Sequence, residues 1–150
     1  MSYSELLKGR YSENGRIYFV TTVLARRDLP LFYDLNCARK VIHEMRRLHE
    51  ESSLSSLAWV VMPDHLHWLF QLGDNDTLSS VMKKLKARSA QAINSHLKIT
   101  GPMWQKAYFD RAIRKEENLL NIARYIIANP LRAGLVSSVK DYPHWDAVWL

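Results

Sequence analysis

The sequence predicts an α+β fold in which the element order β-α-β-β-α-β is followed by one additional helix. Two observations support this prediction: short runs rich in β-branched and aromatic residues, and longer segments with apolar residues at helical spacing. Residues 16–25 predict the first strand, and Asp34 predicts the N-cap of a helix over residues 35–51. The buried face of this helix is predicted to comprise Cys37, Val41, Met45 and Leu48.

The middle of the chain predicts a hairpin of two strands. Residues 56–62 and 65–72 form the strands, and the intervening Pro63-Asp64 is typical of a turn. Because side chains alternate along a strand, four apolar residues of the second of these strands share one face. These residues should pack under the helices: Leu66, Trp68, Phe70 and Leu72.

The rest of the chain predicts a second long helix, a fourth strand and a final helix. Thr77 is typical of an N-cap, and Gly101 with the following proline predicts the end of that helix. Residues 107–114 predict the fourth strand, and a helix that begins at residue 116 or 117 should stop before Pro130. The inward face of the long helix is predicted to comprise Leu78, Val81, Met82, Leu85, Ile93 and Leu97.

This order of elements is that of the ferredoxin-like split βαβ arrangement. In that arrangement an antiparallel sheet carries its two helices on one face. The opposite face stays open for a ligand, a partner or an added helix. The final helix is therefore predicted to lie on the open face.

Composition fits a single domain over residues 1–150, in which residues 1–15 form a polar N-terminal arm. No apolar run is long enough to span a membrane, and the first residues lack the apolar core of a signal peptide. We therefore expect a cytoplasmic protein without a membrane partner. Cys37 is the only cysteine, which excludes an internal disulfide and fits a reducing compartment.

The charge balance favours a polyanionic partner such as nucleic acid. The chain has 21 Lys and Arg against 15 Asp and Glu, a net charge of +6, and its basic residues occur in clusters. Solvated helix faces account equally well for any single cluster. The residues predicted to contact phosphates are Lys83, Lys84, Arg88, Arg111 and Arg114.

Two histidines, His65 and His67, interrupt the apolar pattern of the third strand. Residues at positions i and i+2 share a face, so both side chains are predicted to project from the open face of the sheet. Imidazoles at this spacing can converge on one metal ion. The H-x-H pattern is short and often arises by chance. Taken alone, it more often reflects two half-exposed histidines on a sheet surface than a metal site.

The final helix offers a further ligand and a nucleophile. If this helix crosses the open face, Asn129 would complete a metal site with His65 and His67, and Tyr125 would lie beside it. Asn129 and Tyr125 belong to a stripe of polar residues at helical spacing, which lies beside the apolar stripe of the same helix. The polar stripe comprises Asn118, Asn121, Tyr125 and Asn129.

This set of residues predicts phosphodiester chemistry. A tyrosine hydroxyl has a pKa near ~10 and is a weak nucleophile until it is activated. A metal with open positions polarises a phosphodiester for in-line attack, which yields a phosphotyrosine and a free hydroxyl. The bond energy is kept, so strand transfer needs no ATP. Two imidazoles favour manganese or zinc, and the hard oxygen ligands are compatible with magnesium.

Two stretches of the sequence match motifs of a known family. The segment MPDHLH, residues 62–67, is similar to a His-hydrophobic-His motif, and WQKAYFDRAIRKEENLLNIARYIIANPLRAGLV, residues 104–136, is similar to the tryptophan-glutamine, FDR, tyrosine-helix, NP and RAGLV blocks in order. The chain thereby resembles the REP-associated tyrosine transposases. These are relatives of the single-tyrosine insertion-sequence transposases within the HUH superfamily of single-stranded DNA nucleases. The resemblance covers residues 15–136.

The resemblance implies a role for each residue of the predicted site. His65 and His67 match the two histidine metal ligands, Tyr125 matches the nucleophile, and Asn129 matches the position of the third ligand. It further implies a bacterial enzyme that cleaves single-stranded hairpin DNA of the REP type with Mg²⁺ or Mn²⁺, leaving a 5′-phosphotyrosine and a 3′-hydroxyl. The arm around Arg16 would read the tetranucleotide beside the hairpin. Transposon relatives act as dimers that exchange tyrosine helices and REP-associated members as monomers, so both states are considered.

Three other functions are compatible with parts of the pattern. A non-catalytic nucleic-acid-binding module of the RNA-recognition type shares the element order, but it stacks bases on aromatic residues of the third strand, where this chain has histidines. A small H-x-H metallohydrolase would need further histidine or acidic ligands. A replication-type HUH nuclease would carry a different residue near the tyrosine. The sequence identifies no general base for Tyr125.

Overall fold

The computed structural model describes residues 15–114 and 117–149. The predicted polar arm, apart from Gly15, lies outside the described residues. The strands and helices of the described part are β1 (Ile17–Val23), α1 (Leu35–Glu50), β2 (Leu54–Met62), β3 (His65–Leu72), α2 (Leu78–Leu97), β4 (Phe109–Ala112), α3 (Leu119–Ile127), α4 (Asn129–Arg132) and β5 (Trp145–Ala147).

The strands form one antiparallel sheet with the order β4-β1-β3-β2-β5. The first four strands have the ferredoxin-like order, so the predicted α+β fold class is confirmed. The short strand β5 was not predicted. It extends the sheet beyond β2, and its three residues are too few for a period-2 pattern to emerge from the sequence.

Helices α1 and α2 cover one face of the sheet. Asp34 caps α1 by accepting hydrogen bonds from the backbone amides of Asn36 and Cys37, and Thr77 caps α2 through the amide of Ser80. The predicted inward residues of α1 are all buried, and Leu66, Trp68, Phe70 and Leu72 of β3 pack in the same core. The alternation predicted for β3 is therefore confirmed.

Helix α3 lies on the opposite face of the sheet, where it contacts β2, β3 and β5. Ile126 is fully buried there and Ala123 nearly so, against Leu69 of β3. This second apolar cluster also includes Ala58, Val60, Met62, Ile113 and Ala147. The additional helix thus occupies the face that α1 and α2 leave open.

The fourth strand and the final helix differ most from the predicted boundaries, and the other predicted elements agree with them to within a few residues at their ends. Strand β4 is shorter than residues 107–114, because only Phe109–Ala112 pair with β1. In the preceding loop, the Lys86 ammonium donates to the carbonyls of Gln105, Lys106 and Ala107 at 2.8, 3.1 and 3.3 Å. The final helix is divided at Ala128, and Pro130 begins the first turn of α4. In the described part of the chain, no helix has the length and apolar character that crossing a bilayer requires.

Candidate active site

The two histidines of β3 lie side by side on the sheet face that carries α3. The centroids of their rings are 4.7 Å apart, with the ring planes at 79°. His65 Nδ1 is 2.7 Å from a carboxylate oxygen of Asp64, and His67 Nδ1 is 2.8 Å from the Thr21 hydroxyl. The ring of Phe19 packs edge-on against His67. Three neighbouring groups, one in the turn before β3 and two on β1, therefore fix the orientation of the rings.

These hydrogen bonds select the nitrogen that each ring can offer to a metal. A carboxylate accepts, so His65 Nδ1 carries the proton and donates to Asp64. The Thr21 hydroxyl can accept in the same way from His67 Nδ1. In both rings Nε2 is then the nitrogen with a free lone pair. This is the usual outer-shell arrangement of metal-binding histidines.

Electrostatics keep the His67 ring neutral at physiological pH. Burial is the main cause that lowers the pKa of His67 to about 4, and the neighbouring His65 ring and the Arg132 guanidinium act in the same direction. Burial alone would raise the pKa of Asp64, but hydrogen bonds from His65 and Arg27 outweigh it and hold that pKa below its usual value. Asp64 is thus a carboxylate, and His67 is an uncharged potential ligand.

The segment that carries Tyr125 and Asn129 follows directly from local helix signals. Asn118 is the N-cap of α3, and its side chain accepts a hydrogen bond from the backbone amide of Asn121. Its side chain is therefore engaged at the start of the helix and is not part of the predicted polar stripe. Tyr125 is 55% exposed on α3. The helix ends at Ala128, and Asn129 begins α4, which packs against β2. The side chain of Asn129 is half-buried.

Asn129 has the properties expected of a third ligand. Its Nδ2 position is buried and makes no hydrogen bond to any described residue. The oxygen and nitrogen of an amide are interchangeable by a flip, so this buried position can present an oxygen with two lone pairs. Within residues 15–114 and 117–149, no three His, Cys, Asp or Glu side chains gather to hold a metal. The predicted ligand set of two imidazoles and an amide stays a prediction.

Arg132 links the tyrosine helix to the histidines. Its guanidinium carbon lies 3.9 Å from the centroid of the Tyr125 ring, and Nη2 donates to the Tyr125 carbonyl at 2.7 Å. Its charge also contributes to the lowered pKa of His67. The sequence interpretation assigned no role to Arg132, which lies three residues after Asn129 on the next turn of chain.

The basic residues predicted to contact DNA are distributed over both faces of the sheet. Lys83, Lys84 and Arg88 lie on α2, in the helix layer opposite the histidines; Lys84 pairs with Asp76 at 3.0 Å and Arg88 with Glu51 at 2.8 Å. Arg111 lies on β4 and pairs with Glu117. Their roles in DNA binding stay predictions.

Two further predicted DNA contacts differ in exposure. Arg114 follows β4, is exposed, and its amide donates to Glu117 at 2.8 Å. Arg16 is only 7% exposed, and its carbonyl accepts from the Leu72 amide. A guanidinium buried to this extent is poorly placed for phosphate contact in the described conformation, and its role stays a prediction.

Three residues of the site were missed by the sequence interpretation. Asp64 could have been found, because a carboxylate next to a ligand histidine is a frequent outer-shell partner. Thr21 could not, because its contact with His67 depends on the register between β1 and β3, which pairs these two residues. Arg132 depends on the break between α3 and α4, which no sequence signal placed with enough accuracy.

Comparison with known proteins gives the family of this chain. The family model described as IS200-like transposase matches residues 12–129, and the chain belongs to this family. The REP-associated tyrosine transposase of Escherichia coli strain K12 is 30% identical over 135 residues, covering 89% of this chain and 76% of the relative. The resemblance to REP-associated tyrosine transposases is therefore confirmed.

Solved structures show the same fold. One of them is a REP-associated tyrosine transposase bound to a REP hairpin, which is 26% identical to this chain. The match includes 91% of this chain and 79% of that one, with a TM-score of 0.77. A bacterial tRNA(His) guanylyltransferase-like protein in complex with ATP has a TM-score of 0.52 at 13% identity, with 95% of this chain and 71% of that chain covered. The second likeness concerns the fold alone.

Proposed function

We propose that this chain is a metal-dependent endonuclease and strand transferase for single-stranded DNA, with Tyr125 as its nucleophile. Its substrate would be a hairpin of the REP type. The proposal is supported by three features of the sheet face that α3 covers. These are a histidine pair with both Nδ1 atoms engaged, an amide with a buried unpaired position, and an exposed tyrosine held by an arginine.

The proposed ligands are His65, His67 and Asn129. Their donor set of two imidazole nitrogens and one amide oxygen suits Mn²⁺ and is compatible with Mg²⁺. Such a cation, when bound, would polarise the scissile phosphodiester and neutralise part of its charge. Asp64 and Thr21 would keep the two rings in the tautomer that ligation requires.

Tyr125 supplies the covalent step. Its Oη attacks the phosphorus, the bond between phosphorus and the 3′ oxygen breaks, and the fragment on the 3′ side of the break becomes linked to the enzyme through its 5′ phosphate as a phosphotyrosine. The phenolic proton passes to solvent, and the departing 3′ oxygen takes up a proton to become a hydroxyl. Attack by another 3′-hydroxyl on the phosphotyrosine reverses these steps and joins two strands without ATP.

Arg132 would prepare the nucleophile for this step. The guanidinium stacks on the ring of Tyr125 and is bonded to the backbone carbonyl of the same residue, which limits rotation of the side chain. Its charge also helps to lower the pKa of His67, so it acts on a proposed metal ligand as well as on the tyrosine. Positive charge at that point would favour the pentavalent transition state.

The choice of DNA as substrate has two supports. The net charge of +6 favours a polyanion, and the similar solved structure contains a REP hairpin bound to its transposase. The test uses a 5′-labelled and a 3′-labelled single-stranded hairpin, each incubated with the protein and Mn²⁺ and then resolved on a denaturing gel. A protein-linked product from the 3′-labelled strand supports the proposal. Release of two free DNA fragments without a linked product would contradict it.

A further inference from the structure

We propose that Phe109 is a stacking platform for an unpaired DNA base next to the cleavage site. This inference rests on the proposed function, because single-stranded DNA is the ligand that it would bind. The ligand class is a nucleobase in a flexible single strand. No paired or folded DNA is required for the contact itself.

The sheet register places Phe109 in line with the candidate metal ligands. Phe109 of β4 is paired with Thr21 of β1, and Thr21 is paired with His67 of β3. Paired residues of neighbouring strands share a face, and the Thr21 hydroxyl is bonded to the His67 ring. The backbone of Phe109 therefore lies two strands, or about 10 Å, from that of His67 on the same face.

The alternation along β4 supports this orientation independently. Tyr108 and Ala112 pack against the core beneath α1 and α2. Phe109 and Arg111, at the intervening positions, consequently project from the opposite face, which is the face of the histidines. Phe19 of the neighbouring strand β1 also projects from that face, where it is partly buried and contacts the His67 ring.

Phe109 is far more exposed than the aromatic residues packed on this face, which are Phe19, Tyr142 and Trp145. Its side chain is 71% exposed, although it lies on a strand beside the candidate site. A single exposed apolar residue is common on proteins, so exposure alone has little meaning. The position matters, because a strand of DNA whose phosphate lies between His67 and Tyr125 would extend across neighbouring parts of the same face.

The charges around Phe109 suit a nucleic-acid strand. Arg111 lies two residues further on the same face, and Lys106 is exposed just before β4. Sites for single-stranded nucleic acid combine cationic side chains, which follow the phosphates, with aromatic rings on which bases stack. The bonds from Lys86 to the carbonyls of the preceding loop hold this strand in place, so the ring is presented from a fixed backbone.

The test measures binding of a fluorescent single-stranded oligonucleotide without a hairpin, by anisotropy, in the presence of EDTA. Phe109→Leu removes the π face but keeps an apolar side chain. We expect the affinity of this variant for the oligonucleotide to be lower by about 5-fold or more, which is the smallest effect expected for the loss of one stacked base. Phe109→Tyr keeps the ring and should stay within about 2-fold of the wild type. Tyr33→Leu, which removes an exposed ring before α1, is the control and should bind normally.

Equal affinity of Phe109→Leu and the wild type would overturn the proposal, as would failure of the wild type to bind the oligonucleotide. Light scattering tests whether the ring instead contacts a second copy of the chain. A loss of binding that only follows loss of a dimer would also overturn it. Binding in EDTA requires no cleavage, so an inactive but binding wild type would contradict the proposed chemistry and leave the role of Phe109 intact.

Discussion

The guanidinium of Arg132 lies over the ring of Tyr125, with its central carbon 3.9 Å from the ring centroid. The same side chain donates a hydrogen bond to the Tyr125 carbonyl, so its geometry is fixed at two points on one residue. A flexible, exposed tyrosine would sample several rotamers before each attack. The contact with Arg132 reduces that sampling and brings positive charge to the proposed reaction centre.

Replacement of Arg132 should slow formation of the covalent adduct. Arg132→Ala removes the stack and the charge, and we expect the single-turnover rate constant to fall by about 10-fold or more, since positioned charge is worth several kcal/mol in a transition state. Arg132→Lys restores the charge without the planar fork and should recover part of the rate. Arg124→Ala, an exposed arginine of α3, is the matched control. Equal rates for Arg132→Ala and the wild type would remove Arg132 from the mechanism.

The hydroxyls of the adjacent residues Thr21 and Thr22 allow a paired test of the metal site. Thr21→Val removes the partner of His67 Nδ1, and we expect Mn²⁺ affinity, measured by calorimetry, to fall by about 10-fold. Thr22 lies on the other face of the sheet, beneath α1 and α2. Its buried hydroxyl has no hydrogen-bond partner among the described residues. Thr22→Val should leave Mn²⁺ binding unchanged.

The control variant Thr22→Val should also change the stability of the protein. Because Thr22→Val removes an unsatisfied polar group, it should raise the free energy of unfolding by about 1 kcal/mol. Urea denaturation of both variants measures this. Equal Mn²⁺ affinity of Thr21→Val and the wild type would contradict the positioning role of Thr21.

The depressed pKa of His67 predicts how the stability of the metal-free protein depends on pH. The folded protein holds His67 neutral down to about pH 4, whereas the unfolded chain protonates it near its ordinary pKa of 6.5. Between these values the unfolded state binds more protons, so stability is lost as pH falls. From pH 7 to pH 5 this one group should remove about 2 kcal/mol from the free energy of unfolding.

Urea denaturation in EDTA at the two pH values measures that difference. His67→Gln should show a smaller decrease than the wild type, and His96→Gln, which alters an exposed histidine of α2, should behave as the wild type. An equal decrease for His67→Gln and the wild type would show that His67 does not titrate in this range.

Asn129 is expected to act as an oxygen ligand. Asn129→Ala should weaken Mn²⁺ binding by about 10-fold or more, whereas Asn129→Asp should retain it, because a carboxylate offers a hard oxygen in either orientation. Asn121→Ala, an exposed residue of α3, serves as the control. Calorimetry in which Asn129→Ala binds Mn²⁺ as the wild type does would exclude Asn129 from the ligand set.

Most of the fold could be predicted because its signals are local. The cap residues Asp34 and Thr77 and the alternation in β3 each define an element within a few residues. The short strand β5 has only three residues and depends on pairing with β2 for its existence. The length of β4 depends on its pairing with β1, a tertiary contact that no local pattern contains.

The candidate site was predictable in part for the same reason. Strand alternation predicts the pairing of His65 and His67, which lie side by side in the structure. Helical spacing predicts Tyr125 and Asn129 on one helix, which the structure divides at Ala128. The outer partners follow from tertiary structure: Thr21 reaches His67 through strand register, and Arg132 reaches Tyr125 through a break in the helix. Phe109 was overlooked because its relation to His67 passes through two strand pairings.

The most direct test of the account is to ask which tyrosine becomes linked to DNA. The wild type, Tyr125→Phe and Tyr33→Phe would each be incubated with a labelled single-stranded hairpin and Mn²⁺, and protein-linked DNA measured on a denaturing gel. Tyr33 is a suitable control because its ring is 68% exposed, compared with 55% for Tyr125. If Tyr125 is the nucleophile, the wild type and Tyr33→Phe form an adduct, and Tyr125→Phe forms none although it still binds DNA. An undiminished adduct in Tyr125→Phe would contradict that assignment.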